Sequence, residues 1–178
     1  MDKKVYKEYN LKITMLSIII RGPAAVGKST VAKTLAKEIG AFYISFDDIL
    51  SKHNLDIIDG DGISAESFVK GNELALDMIN QLKPKIIVLD GCFYRDEQMN
   101  HLIKNYIGKH IVFTLKAKIE DCIVRNKERS KPISEDAIHE VFKLVSKKDY
   151  GIIINTSGKK INQVVEEILN HLPLKKAR

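Results

Sequence analysis

The chain has 178 residues, 44% of them apolar and 29% charged, which is enough to bury one core and excludes an intrinsically disordered chain. Cys92 and Cys122 are too few for a disulfide framework or a zinc site, and read as packed thiols in a reducing compartment. The net charge of +6 sits mostly at the ends, with four lysines against Asp2 and Glu8 in residues 1–14 and Lys175, Lys176 and Arg178 in residues 171–178, so it gives little support to a nucleic-acid-binding face.

No apolar run reaches the roughly 20 residues of a membrane span. The first residues imitate a secretion signal, with lysines, then residues 11–20, then Ala24-Ala25. Lys12 interrupts that pattern, and cleavage would delete the first strand. The expectation is a cytoplasmic protein with no membrane contact: a basic leader over 1–14, with Met15 a candidate start, a single domain over 15–172, and a basic tail over 173–178.

Residues 15–20 form an apolar run that reads as a buried parallel strand. Gly22-Pro23-Ala24-Ala25-Val26-Gly27-Lys28-Ser29-Thr30 follows and matches the pattern G-x-x-x-x-G-K-[ST] at every required position. Val31, Leu35 and Ile39 then share one face of a helix that stops at Gly40. Strand, glycine loop and helix in that order surround one anion with backbone N–H groups and a helix N-terminus. Gly22 and Gly27 allow the tight turn, and Ala24, Ala25, Val26, Gly27 and Thr30 line the cradle. Lys28 offers a compact charge to β- and γ-phosphate oxygens, and the Ser29 hydroxyl is a ligand for Mg²⁺.

Residues 41–46 read as a second strand with Asp47-Asp48 at its carboxyl end, the end where ligands sit in open α/β sheets. Residues 54–62 are turn-rich around Asp59-Gly60-Asp61-Gly62, but Ile57 and Phe68 occupy the first and last positions a calcium loop would need. Ser64 caps a helix to about residue 82, which Lys83-Pro84 ends. Residues 85–91 form a third strand that closes on Asp90, followed by a helix over 95–107 and a fourth strand over 110–115. A helix over 118–129 turns basic in its second half, and Ser134 caps the next one, to about 148. A fifth strand over 151–155, a Thr156-Ser157-Gly158 turn and a helix over 161–172 complete the chain. Strands alternating with helices predict an α/β three-layer domain with a parallel sheet covered on both faces.

A phosphate loop alone does not choose among nucleotide-hydrolysing and phosphate-transferring enzymes, so the other charged positions matter. Asp90 at a strand end is placed to hold the metal, or else is an ordinary turn acid. Asp47 and Asp48 are candidates for a general base that accepts the acceptor's proton, or else cap the following helix. Arg125 and Arg129, one turn apart, are placed on one helix face to neutralise a transferring phosphoryl group from a closing segment, or else form a solvated basic helix end.

This layout resembles the small P-loop kinases: nucleoside and nucleotide kinases, gluconate and shikimate kinases, and the 5′-kinase module of polynucleotide kinase. The resemblance spans residues 15–172 and rests on the loop 22–30, Ser45-Phe46-Asp47-Asp48, Leu89-Asp90-Gly91, Arg125-x-x-x-Arg129 and Asn155-Thr156-Ser157. It implies a five-stranded parallel sheet in the order 2-3-1-4-5, use of ATP with Mg²⁺, Asp47 as base, Arg125 and Arg129 in a lid over about 125–135, and adenine beside the turn after the fifth strand. Leu50 stands where polynucleotide kinase-like members often carry an arginine for the acceptor's phosphate, which speaks against a polynucleotide acceptor. Asn155 replaces the acid common in the last turn.

Residues 49–75 and the loop after Gly91 are expected to build the acceptor site. There Phe93 and Tyr94 either stack on a planar base or pack into the core, and Arg95 either holds an anion or caps a helix. The expected activity is transfer of the γ-phosphoryl group of ATP to a hydroxyl or phosphate of a small molecule or nucleotide. A polynucleotide 5′-end kinase and a nucleotide-dependent regulatory protein without an acceptor are the competing readings.

Overall fold

The strand β1, Leu16–Arg21, is buried over its whole length, as a strand with neighbours on both sides and helices on both faces must be. Its side chains alternate between two cores: Leu16, Ile18 and Ile20 face one, Ile19 the other. The computed structural model describes residues 15–106 and 108–174, so the leader 1–14, Ile107 and residues 175–178 lie outside the described part.

After β1 come α1 (Lys28–Ile39), β2 (Phe42–Ser45), α2 (Phe46–Lys52), β3 (Ile58–Asp59), β4 (Gly62–Ile63) and α3 (Ala65–Leu82). The remaining elements are β5 (Ile86–Gly91), α4 (Asp96–Asn105), β6 (Lys109–Lys116), α5 (Ile119–Lys127), α6 (Glu135–Ser146), β7 (Ile152–Asn155) and α7 (Ile161–His171). Five strands form one parallel sheet in the order β2-β5-β1-β6-β7, which is the expected 2-3-1-4-5 once the small hairpin β3–β4 is set aside. One core lies under α1 and α7, with Val31, Leu35, Val164 and Ile168 against β1 and β6. The other holds Phe46 of α2, Phe68 and Ile79 of α3, and Met99 and Leu102 of α4.

The expected caps form: Ser64 Oγ accepts from the Ser67 N–H at 3.1 Å, and Ser134 Oγ accepts from the Ala137 N–H at 3.2 Å. Two features depart from expectation. Phe46 belongs to α2 rather than to the strand before it, because its ring is fully buried against Phe93 and Phe68. The turn-rich stretch folds into the hairpin β3–β4, with Ile58 paired to Ile63 and Asp59 to Gly62 around Gly60-Asp61. No described helix is long and apolar enough to cross a membrane.

Register places the chemistry. Asp90 pairs with Ile20 on one side and Ser45 on the other, so the phosphate loop, Asp47 and Asp90 leave the same carboxyl edge of the sheet.

Candidate active site

The loop between β1 and α1 is shaped by its two glycines for different reasons. Gly27 takes φ 103°, which L side chains avoid, and nothing stands near the position its Cβ would occupy. Gly22 is fixed by packing instead, since a Cβ there would lie 2.7 Å from the Leu115 carbonyl oxygen and 2.9 Å from Val26 Cγ1. The first turn of α1 contains no acidic residue and receives no side-chain cap, which leaves the helix N-terminus to an anion. Lys28 Nζ donates to the Pro23 carbonyl at 2.9 Å, holding the ammonium inside the loop.

Ser29 Oγ donates to Asp90 Oδ2 at 2.7 Å, and the Tyr43 hydroxyl donates to Asp90 Oδ1 at 2.6 Å. Tyr43 and Ser45 alternate on β2 so that both project from the face that carries Asp90 on β5. Burial, then the hydrogen bond and charge of Asp90, push the Tyr43 hydroxyl well above its ordinary value, so it remains a donor. A hydroxyl and a carboxylate 2.7 Å apart are oxygen donors of the kind Mg²⁺ takes. Among the described residues no group of three or more His, Cys, Asp or Glu side chains forms a metal cage, which suits an ion held largely by phosphate oxygens and water.

Asp47 lies in the first turn of α2 and borders the cleft. The residue is exposed on the cleft side, while protein crowds its carboxyl group. That enclosure raises its pKa above the usual carboxylate value; Lys28 and Arg129 pull it down, Asp90 and Asp48 push it up, and the net direction is upward. Neither Asp47 nor Asp48 caps α2, since the cap is Ser45, whose Oγ accepts from the Asp48 N–H at 3.3 Å. Lys28 is driven above its ordinary value: burial opposes its charge, but Cys92, Asp47 and Asp90 outweigh burial. Burial also pushes the Cys92 thiol up, so near neutral pH the charges that act on Lys28 are those of Asp47 and Asp90.

Arg125 and Arg129 do not share a helix face, because α5 ends at Lys127 and the Arg129 N–H bonds to the Asn126 carbonyl in the turn beyond it. Arg125 Nη1 donates to Val26 O at 3.1 Å and Thr156 Oγ1 at 3.0 Å, and Nη2 donates to Thr156 O at 3.0 Å, so this arginine ties the phosphate loop to the turn after β7. Arg129 lines the cleft and acts electrostatically on Asp47. Asn126 pins the loop that carries Arg129, with Nδ2 donating to Ile133 O at 2.8 Å and Oδ1 accepting from Ile133 N at 3.2 Å. Asn155 accepts from the Ser157 N–H through Oδ1 at 3.0 Å, a turn-forming bond that the carbonyl of an amide supplies as well as a carboxylate.

The loop residues 24–30, Asp47, Cys92, Arg125, Arg129 and Thr156 border one cavity of about 890 Å³ that runs from the phosphate loop to the hairpin β3–β4 and α6, with Asp90 buried behind Ser29. Phe93 does not reach it: its side chain is fully buried in the second core. Leu50 is likewise core. Tyr94 does line it, stacked edge-on against Phe68 at 4.9 Å, with its hydroxyl accepting from the Ile63 N–H at 2.7 Å. Arg95 clasps Asp61 with Nη2 at 2.6 Å and Nη1 at 3.2 Å. Tyr43 and Cys92 were not anticipated as site residues. The strand parity that carries Ser45 toward Asp90 carries Tyr43 there too, and Cys92 lies two positions beyond Asp90 at the same strand end.

A phosphate loop on a central parallel strand, with an acid closing the adjacent strand, defines a nucleotide-binding α/β domain of the P-loop class. A family model described as shikimate kinase matches residues 24–173, and the chain belongs to that P-loop kinase family. It is 30% identical over 163 residues to a Pyrococcus furiosus protein named for adenylate kinase, covering 86% of this chain and 82% of the relative. Among solved structures, a gluconokinase from Sinorhizobium meliloti superposes with TM-score 0.69 at 13% identity, covering 88% of this chain and 91% of that one. A shikimate kinase from Acinetobacter baumannii in complex with shikimate gives TM-score 0.61 at 20% identity, with 88% and 92% covered. At such identities the two structures speak for the fold.

Proposed function

We propose that the protein transfers the γ-phosphoryl group of ATP to a small-molecule or nucleotide acceptor, the phosphate loop and Arg125 holding the nucleotide and Asp47 receiving the acceptor's proton. The observation that carries this reading is the convergence of Lys28, Asp47 and the Ser29–Asp90 pair at one sheet edge, at the head of a cavity large enough for two substrates. The membership of the chain among P-loop kinases supports it.

Backbone N–H groups of residues 24–27 and the α1 N-terminus receive phosphate oxygens, and Lys28 leaves the Pro23 carbonyl for the β- and γ-phosphates. Ser29 and Asp90 would hold Mg²⁺, whose charge offsets that of the transferring group. Asp47, its pKa raised by enclosure, is a stronger base than a free carboxylate and faces the same edge. Arg129, on its pinned loop, neutralises charge near Asp47. Adenine is assigned to the turn at Thr156, where Arg125 is anchored.

The test is nucleotide binding followed by turnover. ATP with Mg²⁺ raises the melting temperature, and Lys28→Ala removes most of that shift. A shift retained in the variant removes the nucleotide site from this loop.

A further inference from the structure

The amino edge of the sheet has a chemistry of its own, separated from the phosphate loop by about 20 Å of strand, the length of β1. Here β5, β1 and β6 start level, with Leu16 paired to Ile86 on one side and to Lys109 on the other. The Leu16 N–H donates to the Lys85 carbonyl at 2.9 Å, and the Lys109 N–H donates to the Met15 carbonyl at 3.0 Å. Lys85 and Lys109 therefore flank Met15, with their backbones about 10 Å apart, two strand spacings. The helices α1, α3 and α4 run back from the carboxyl edge and end here, bringing Lys37, Lys83 and Lys104 in or just after their last turns.

All five lysines are exposed. Among the described residues the lysines that pair with carboxylates are Lys116, Lys148 and Lys159, and none of these five does so. In the same helix ends and strand starts the one acid is Glu38. Lysines at helix C-termini complement the helix dipole, but Lys85 and Lys109 lie on no helix, so the dipole does not account for the whole cluster.

Both basic ends of the chain join the body on this side. Lys3, Lys4, Lys7 and Lys12 precede Met15, which enters between Lys85 and Lys109. Lys175, Lys176 and Arg178 follow Leu174, which packs against the core that holds Leu16, Ile39 and Leu172. Charge that the sequence divides between its two ends is gathered by the fold beside five further cations.

Separate exposed ammonium groups do not enclose a small anion; they suit a chain of phosphates, each neutralised by a point charge. Phe42 opens β2 at the same level, paired with Ile87, and is exposed. An aromatic ring beside a row of cations is a stacking platform for an unpaired base. A membrane surface requires a continuous apolar face instead, whereas Phe42 of β2 and Leu82 of α3, both exposed, stand on different elements.

We infer that the amino edge binds single-stranded nucleic acid, with phosphates on Lys83, Lys85, Lys104 and Lys109, Lys37 at the side, and a base against Phe42. The nucleic acid is a partner held at the far end of the sheet from the phosphate loop, and is not the phosphate acceptor.

Fluorescence anisotropy of a labelled oligouridylate of about 20 nucleotides, titrated with the full chain, tests this. Binding is expected at about 50 mM salt, with log K falling against log salt at a slope of about −3 to −4 for five phosphate contacts. Lys85→Gln combined with Lys109→Gln is expected to weaken binding about tenfold and to flatten the slope by about 1.4, and arginine at both positions to restore them. Phe42→Ala is expected to cost about tenfold in affinity with the slope unchanged. Cooperative melting shows that each variant is folded. Saturating ADP with Mg²⁺ is expected to leave the affinity unchanged. Competition by ADP overturns the inference, since it places the oligonucleotide in the cavity. Absence of binding at about 50 mM salt overturns it, as does binding that survives the double glutamine variant. Tighter binding to vesicles containing phosphatidylserine than to the oligonucleotide overturns it in favour of a membrane surface.

Discussion

Ser29 and Asp90, 61 residues apart in sequence, meet as hydroxyl donor and carboxylate acceptor at 2.7 Å. Tyr43 takes the other oxygen of the same carboxylate. Both donors are neutral, so they orient Asp90 without cancelling its charge, as a group that is to hold a cation requires. The pairing exists because β5 runs beside β1 in register, ending Asp90 level with Ile20 just before the loop begins.

Loss of the orienting hydroxyl in Tyr43→Phe is expected to raise the Mg²⁺ concentration for half-maximal turnover by about tenfold, and Asp90→Asn by more. Titration of turnover with Mg²⁺ at saturating ATP measures this. Unchanged Mg²⁺ dependence in Asp90→Asn would take the metal role from that residue.

Asp47→Asn separates catalysis from stability. Enclosure raises the Asp47 pKa in the folded chain, so the fold favours its protonated form. The cost of ionising it in the folded state is absent at acid pH and appears as pH rises from the unfolded value of about 4 through the raised folded value. At neutral pH the neutral amide therefore melts at a higher temperature than the wild type, and the difference vanishes below about pH 4. Turnover falls by orders of magnitude while ATP still shifts melting, because the base acts in the transition state. In the wild type, the acid limb of kcat/KM lies above the ordinary carboxylate range.

Arg125 holds two distant segments through three hydrogen bonds, and its planar fork is what lets one side chain reach both. Arg125→Lys keeps the charge but not the fork. It is expected to cost about 2 kcal/mol of stability, read from denaturant unfolding, and to raise KM for ATP as the loop and the Thr156 turn separate. Equal stability and KM would mean the two segments hold together without it.

The sheet was legible because its strands are short apolar runs punctuated by Gly, Pro and capping serines, and the phosphate loop because its glycines and lysine are irreplaceable there. Ser64 and Ser134 marked their helices for the same local reason. The hairpin β3–β4 was not legible: two-residue strands have no periodicity, and what fixes them is Tyr94 and Arg95 from 31 and 32 residues further on. The helical reading of Arg129 failed because Asn126 bonds both backbone groups of Ile133, an alternative to continuing α5 that no local pattern announces. For Arg95 the sequence leaves an anion binder and a helix cap open; the fold makes it the N-cap residue of α4 and supplies Asp61 as the partner of its guanidinium.

Arg21 shows how a residue outside the cleft controls it. The side chain is 1% exposed, yet among the described residues no carboxylate pairs with it in a hydrogen bond. Nε donates to Phe93 O at 3.2 Å, Nη1 to Thr114 Oγ1 at 3.2 Å and Lys148 O at 2.9 Å, and Nη2 to Val145 O at 3.2 Å. Burial lowers its pKa while Tyr150, whose ring lies 5.1 Å away, and Asp149 partly restore it. Three of these acceptors are carbonyls of α6's C-terminal end and the loop after β5, and a cation there also complements the helix dipole. Arg21 thus pins α6, and α6 carries Leu144, Val141 and Glu140 into the wall of the cavity. In Arg21→Met the apolar stem survives and the acceptors are left unpaired, at a cost on the order of 3 kcal/mol in denaturant unfolding. The strand backbone stays held by its pairing with β5 and β6. KM for the acceptor is therefore expected to rise severalfold while KM for ATP changes little, and a parallel rise in both would show that Arg21 serves the phosphate loop rather than α6.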